Sequence, residues 1–128
     1  MTDDNVHHLP RIGIGEAMRL YGLTARAIRF YEEKGLVEPR RDRLNVRFFD
    51  GVARRRLGWI AQLRKAGVPL GDIAEVLEAE ESDSRGRERA LASLETRRQS
   101  LRRELEQVEA ALAEFSTSPP RAWSVKTR

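Results

Sequence analysis

Residues 23–37 read LTARAIRFYEEKGLV, and the rest of the chain is understood from them. Thr24 is a preferred N-cap type, so a helix is expected over Ala25 to Lys34. Lys34 then lies in the last turn, where a cation favours the negative helix end, and Gly35 takes the C′ position. Arg26 and Arg29 are three apart and share one face of this rod. Ala27, Ile28 and the ring of Tyr31 point elsewhere, toward the neighbouring helices. A rod with an apolar back and an arginine front fits a DNA major groove, where a guanidinium forks onto guanine N7 and O6 or grips a phosphate. Tyr31 is expected to bury its ring and give its hydroxyl to a phosphate oxygen. The alternative is an ordinary surface on which these arginines pair with Glu32, Glu33 and Glu38.

The flanks extend the pattern. Upstream, Ile14, Ala17, Met18 and Tyr21 recur at i, i+3, i+4 and i+7, and Gly22 ends the run. Two short helices joined by Gly22-Leu23 make a helix-turn-helix. Downstream, Leu36–Val37 and Val46 to Phe49 have strand character around a turn-like RDRLN, in which Asn45 tolerates positive φ. Pro39 would confine its strand to an edge. This describes a two-stranded wing with a basic tip of Arg40, Arg41 and Arg43. Asp50 caps a third helix, which Gly67 ends. Pro69 precedes a short fourth helix, Gly71–Glu78, with Ile73, Ala74 and Leu77 as its apolar stripe. The wing arginines with Arg47 would reach the DNA backbone, and Arg54 to Arg56 open the third helix nearby. The candidate DNA-binding set is Thr24, Arg26, Arg29, Tyr31, Arg41, Arg43, Arg47 and Arg54.

Residues 78–88, EAEESDSRGRE, are expected to form a polar joint. Beyond it Leu91, Arg98, Leu105 and Leu112 recur every seven residues, as do Leu94, Leu101, Val108 and Phe115. That is an a/d seam with one polar interruption. A helix roughly 40 Å long, at 1.5 Å per residue, is too long for the N-terminal region to cover. The simplest burial is against a second copy, which makes these eight residues the dimerisation set of a homodimer. The competing possibility is that the stripe packs on its own chain. Arg98 would cost stability and could fix register.

Composition agrees. The chain has 128 residues, 34% charged and 40% hydrophobic, which suits a small core under a large solvated surface. Residues 11–66 hold 14 Lys/Arg against 6 Asp/Glu, whereas residues 67–116 hold 7 against 12. A basic segment with aromatics among its cations suggests nucleic acid. Zero cysteines exclude disulfides and thiolate metal or redox sites. His7 and His8 are adjacent and share no helix face, so no metal site is expected there. No Ser/His/Asp set or apolar carboxylate pair suggests an enzyme, and no cofactor is expected. Without a secretory or membrane-spanning segment, a cytoplasmic protein making no membrane contact is expected.

The stretch IGEAMRLYGLTARAIRFYEEKGLVEP, then NVRFF, then LRKAGVPLGDIAEVL, resembles the MerR family of bacterial transcription regulators over about residues 12–115. It is nearest the metal-responsive branch. The resemblance implies a mainly α fold, a winged helix-turn-helix domain followed by a long coiled-coil dimerisation helix. It divides the chain into a disordered tail (1–10), a DNA-binding domain (11–80), an antiparallel dimerisation helix (84–116) and a short basic tail (117–128). It further implies a homodimer on a pseudo-palindromic promoter with an overlong spacer. The DNA is bent and undertwisted so that RNA polymerase contacts both of its elements. By motif, Arg26 and Arg29 match the recognition-helix cations, Tyr31 the phosphate-contacting tyrosine and Arg47 the wing arginine. The wing departs from the usual Gly-Tyr-Arg-x-Tyr: here it is Asn45-Val46-Arg47-Phe48-Phe49, without either tyrosine hydroxyl. Cysteine-based metal sensing is excluded, and no separate drug-binding domain is expected after Phe115. An effector is then absent, a protein, or a ligand of a small pocket near Trp59, Phe115 or Trp123. Two other readings remain: a coiled-coil interaction adaptor with a repurposed winged domain, and a monomeric excisionase-like DNA-bending protein.

Overall fold

A computed structural model describes residues 9–117. The first eight residues and those beyond Thr117, including Trp123, lie outside the described residues, and so does most of each expected tail. The order is α1 (Ile14–Tyr21), α2 (Ala25–Glu33), β1 (Arg40–Arg41), β2 (Arg47–Phe48), α3 (Gly51–Lys65), α4 (Leu70–Asp83) and α5 (Gly86–Thr117). No helix among the described residues is long and apolar enough to cross a membrane.

Side-chain chemistry sets the helix boundaries where the sequence suggests. Thr24 Oγ1 accepts from Ala27 N at 3.0 Å, and Asp50 Oδ1 accepts from Ala53 N at 2.9 Å. Each satisfies a backbone donor that the first helical turn leaves unpaired. Helix α2 ends in a Schellman motif: Gly35, at φ 77°, donates to Glu32 O and Leu36 donates to Tyr31 O. Helix α3 ends the same way at Gly67, at φ 88°, with Val68 donating to Leu63 O. Leu36 and Val68 then drop into the core beside Tyr31 and Leu63, the apolar contact that accompanies this motif.

One core joins α1 to α4. Phe49, Ile28, Leu57, Ile60, Ile73, Val68 and Val76 are fully buried, each worth about 1.5–3 kcal/mol of transfer free energy. Phe49 also exchanges backbone hydrogen bonds with Ile12, at 3.1 and 2.8 Å. This bridge fastens the chain before α1 to the wing.

Three sequence expectations are corrected. The first wing strand is Arg40–Arg41, paired antiparallel with Arg47–Phe48, not Leu36–Val37. Those two residues are buried plugs following the Schellman turn, and the strand begins only after Pro39. Arg40 and Arg41 therefore sit in the ladder, not at the tip. Helix α4 runs to Asp83 rather than Glu78, because its polar end is held from α3. Arg55 pairs with Glu80, and Arg56 pairs with Glu81 at 2.9 Å. The joint shrinks to Ser84–Arg85, with Ser84 in the left-handed region at φ 60°. Finally, the seam does not begin clear of its own chain. Ala90 and Leu94 pack against the core, while residues 101–117 are exposed throughout.

Helix α5 is rooted at Gly86, which is buried and donates its N–H to Glu80 Oε1 at 3.1 Å. A Cβ there would lie 2.6 Å from both Glu80 Cβ and Trp59 Cζ3, so only glycine allows this approach. Eleven residues on, Arg97 Nε donates to Ala66 O at 3.2 Å, capping the end of α3.

Candidate nucleic-acid interface

Helix α2 divides cleanly. Ile28 is fully buried and Tyr31 is 6% exposed, whereas Arg26 and Arg29 are exposed. Neither arginine has an ion pair or hydrogen bond with any described residue, so the alternative surface pairing with Glu32, Glu33 or Glu38 is not formed. Two uncommitted guanidiniums on one face of a rigid, capped helix are free to fork onto base edges or phosphates. The Tyr31 ring is buried as expected, and its hydroxyl has no partner among the described residues.

Beside this face stands the wing. Arg47 Nη1 reaches Glu32 Oε1 of α2 at 3.4 Å, with the side chains 27% and 13% exposed. The wing is thereby tied to α2, although Arg47 is not a free cation. Arg41 Nη1 donates to Asn45 O at 2.9 Å, and Arg40 pairs with Asp50 at 3.1 Å. Arg43 is exposed and unpaired among the described residues. The turn is a three-residue hairpin loop: Asn45 N donates to Asp42 O and Asp42 N to Val46 O, with Asn45 at φ 66°, the geometry of a turn followed by a left-handed residue.

Arg54 stands apart from the other candidates. Its Nε donates to Tyr21 Oη at 3.2 Å and its Nη1 to Pro10 O at 2.6 Å, so it ties α1 and the N-terminal approach to α3. The structure thus brings Thr24, Arg26, Arg29 and Tyr31 together on α2, with Arg41, Arg43 and Arg47 on the adjoining wing. It commits Arg54 to internal contacts. Arg11 was missed by sequence reasoning. Its guanidinium lies 4.4 Å from the Phe48 ring centroid and 3.6 Å from Asp42 Oδ2, adding a cation to the wing. Nothing in its local sequence signals this, because the placement depends on the Ile12–Phe49 bridge.

The seam residues Leu91, Leu101, Leu105, Val108, Leu112 and Phe115 are 44–62% exposed. Arg98, the polar interruption of the stripe, pairs with Glu95 of its own helix at 2.7 Å. Near the root of α5 a groove of about 530 Å³ runs between Trp59, Leu63, Ala66, Leu91 and Leu94.

This architecture has known counterparts. Residues 13–80 match the family described as MerR HTH family regulatory protein, and residues 54–117 match the one described as MerR, DNA binding. The chain is 37% identical over 65 residues to the HTH-type transcriptional regulator CueR of Bacillus subtilis, covering 51% of this chain and 46% of that one. It is 36% identical over 70 residues to the regulator TnrA of the same organism, covering 55% and 64%. The chain thus spans less than two thirds of the length of these curated relatives. Among solved structures, HiNmlR, a MerR family regulator lacking the sensor domain and bound to promoter DNA, superposes with TM-score 0.60 at 23% identity, over 84% of this chain and 83% of that one. A regulator from Listeria monocytogenes gives 0.59 at 25% identity, over 83% and 81%. The chain belongs to the MerR family of helix-turn-helix transcriptional regulators and carries that family's DNA-binding domain.

Proposed function

We propose that the chain acts as a homodimer that binds a pseudo-palindromic promoter and distorts it to control transcription by RNA polymerase. The observation that carries this reading is the unpaired state of Arg26 and Arg29 on α2, where most neighbouring arginines are engaged. Residues 11–80 form the reader, and residues 84–116 hold two readers apart. Arg26 and Arg29 enter the major groove. Thr24, Tyr31, Arg41, Arg43 and Arg47 contact the phosphates beside it. For Arg47 this means sharing its guanidinium between Glu32 and DNA. Arg54 acts indirectly, by holding α1 against α3. The stripe from Leu91 to Phe115 supports an antiparallel coiled coil, since Leu101, Leu105, Val108, Leu112 and Phe115 are large apolar side chains left 44–62% exposed. Its family is one of regulators rather than enzymes.

The test is retardation of a palindromic duplex selected from a random pool. Affinity should fall steeply with salt, as neutralised phosphates require. Arg29→Ala should relax or abolish site choice. Unchanged binding of Arg29→Ala to the selected site would remove the basis of the reading.

A further inference from the structure

The wing tip carries a feature that phosphate gripping does not explain. Leu44 is 83% exposed, the most exposed large hydrophobic residue among those described, and Val46 beside it is 55% exposed. Leu44 and Arg43 are the two central residues of the turn Asp42–Asn45, so they project from the end of the hairpin. The turn is held rigid. Asp42 Oδ1 accepts from both Leu44 N and Val46 N at 2.9 Å. Asn45 N closes on Asp42 O at 2.9 Å, and Arg41 Nη1 caps Asn45 O. A flexible loop would let a leucine fold back onto apolar surface, whereas this turn keeps it in water. Arg43 precedes it in the turn, Arg41 bonds to Asn45 O and Arg11 pairs with Asp42 at the turn's base. The hairpin end thus carries more cations than anions, a setting that suits a polyanion and disfavours a basic or purely apolar partner.

We propose that Leu44 enters the minor groove of the bound duplex as a wedge that unstacks a base step. The inference rests on the promoter-binding reading above, which places α2 in the adjoining major groove. Apolar side chains on minor-groove proteins open base steps and kink the duplex in this way. Arg43 then neutralises a flanking phosphate. Pyrimidine–purine steps unstack most readily, so Leu44 becomes a specificity-determining residue at a position where no hydrogen bond reads a base.

The test uses the full chain and a duplex selected by it from a random pool, with 2-aminopurine substituted in turn along each flank. Wild-type protein should raise fluorescence at one step in each half-site. Leu44→Ser should abolish that rise, weaken binding about 10-fold and erase any preference for a pyrimidine–purine step there. Its salt slope should stay unchanged, since no charge is lost. Leu44→Met should retain the signal. Arg43→Ala should lower the salt slope by about one phosphate. Leu44 contributes nothing to the core, so these variants fold. The wedge is overturned if wild type gives no fluorescence rise, or if Leu44→Ser keeps it, while Arg29→Ala still abolishes site choice. It is equally overturned if Leu44→Ser binds DNA normally yet lowers transcription in a reconstituted reaction, because the tip then docks on protein. If neither Leu44→Ser nor Arg29→Ala alters binding, promoter recognition by α2 fails as well.

Discussion

Replacing Gly86 with alanine should loosen the attachment of α5 to the reader. The new methyl would sit 2.6 Å from Glu80 Cβ and from Trp59 Cζ3. The first atom is anchored next to its backbone and the second belongs to a ring stacked near the Arg55 guanidinium, 5.2 Å from its centroid. Neither is the free end of a flexible chain, so α5 must shift outward. Overpacking of this kind costs about 1–3 kcal/mol. Loss of the Gly86 N–H bond to Glu80 adds about 1 kcal/mol. Alanine's helix propensity returns at most ~1 kcal/mol, and less in a first turn. The net is about 2 kcal/mol, or a fall in Tm of about 8 °C for a chain of this size. Gly71 supplies the control: it lies in the first turn of α4 with nothing within 4 Å of its added Cβ, so Gly71→Ala should melt at or slightly above wild type. Circular dichroism melts at one fixed concentration are the assay, since the melting of a dimer moves with concentration. Gly86→Ala melting no lower than Gly71→Ala would refute the reasoning.

Further outcomes follow from other contacts. Thr24→Ala removes the acceptor for Ala27 N and should lower stability by about 1 kcal/mol in urea titration; no loss means another group caps α2. Leu105→Glu, in the middle of the exposed stripe, should sediment as a monomer at micromolar concentration, and a dimer would place the interface elsewhere. Arg55→Ala leaves the Glu80 carboxylate, a quarter exposed, without its cation. It should destabilise more than Arg89→Ala, whose partner Glu75 is half exposed and screened by water. Equal losses would show that burial does not decide the strength of these pairs.

The helices were legible because their ends are written in single residues. Thr24, Asp50, Gly35 and Gly67 each do a job that few side chains can do, and the structure uses all four as expected. The a/d stripe was legible for the same reason, since a period of seven needs no tertiary information. What could not be read depends on partners far along the chain. The tract EAEESD has no apolar period, and it becomes helix because Arg55 and Arg56 hold Glu80 and Glu81. Leu36–Val37 carry strand propensity but are spent as core plugs. The Ile12–Phe49 bridge is a single residue pair, too short to leave a pattern. At the interface, the exposed guanidiniums of Arg26 and Arg29 follow from helical spacing. The engagement of Arg54 with Tyr21 and Pro10 does not, because both partners are more than thirty positions away.

The two fastenings of α5, at Gly86 and at Arg97, lie eleven residues or about 16 Å apart along its axis. A single fastening would let the helix swivel. Two make a clamp that fixes its direction relative to the reader. In the proposed dimer the paired shafts would behave as a ruler, and the spacing between half-sites would be measured by bone rather than by hinge. On that proposal, an operator longer or shorter than the ruler would have to twist or bend to fit, and the cost of mismatch would fall on the DNA.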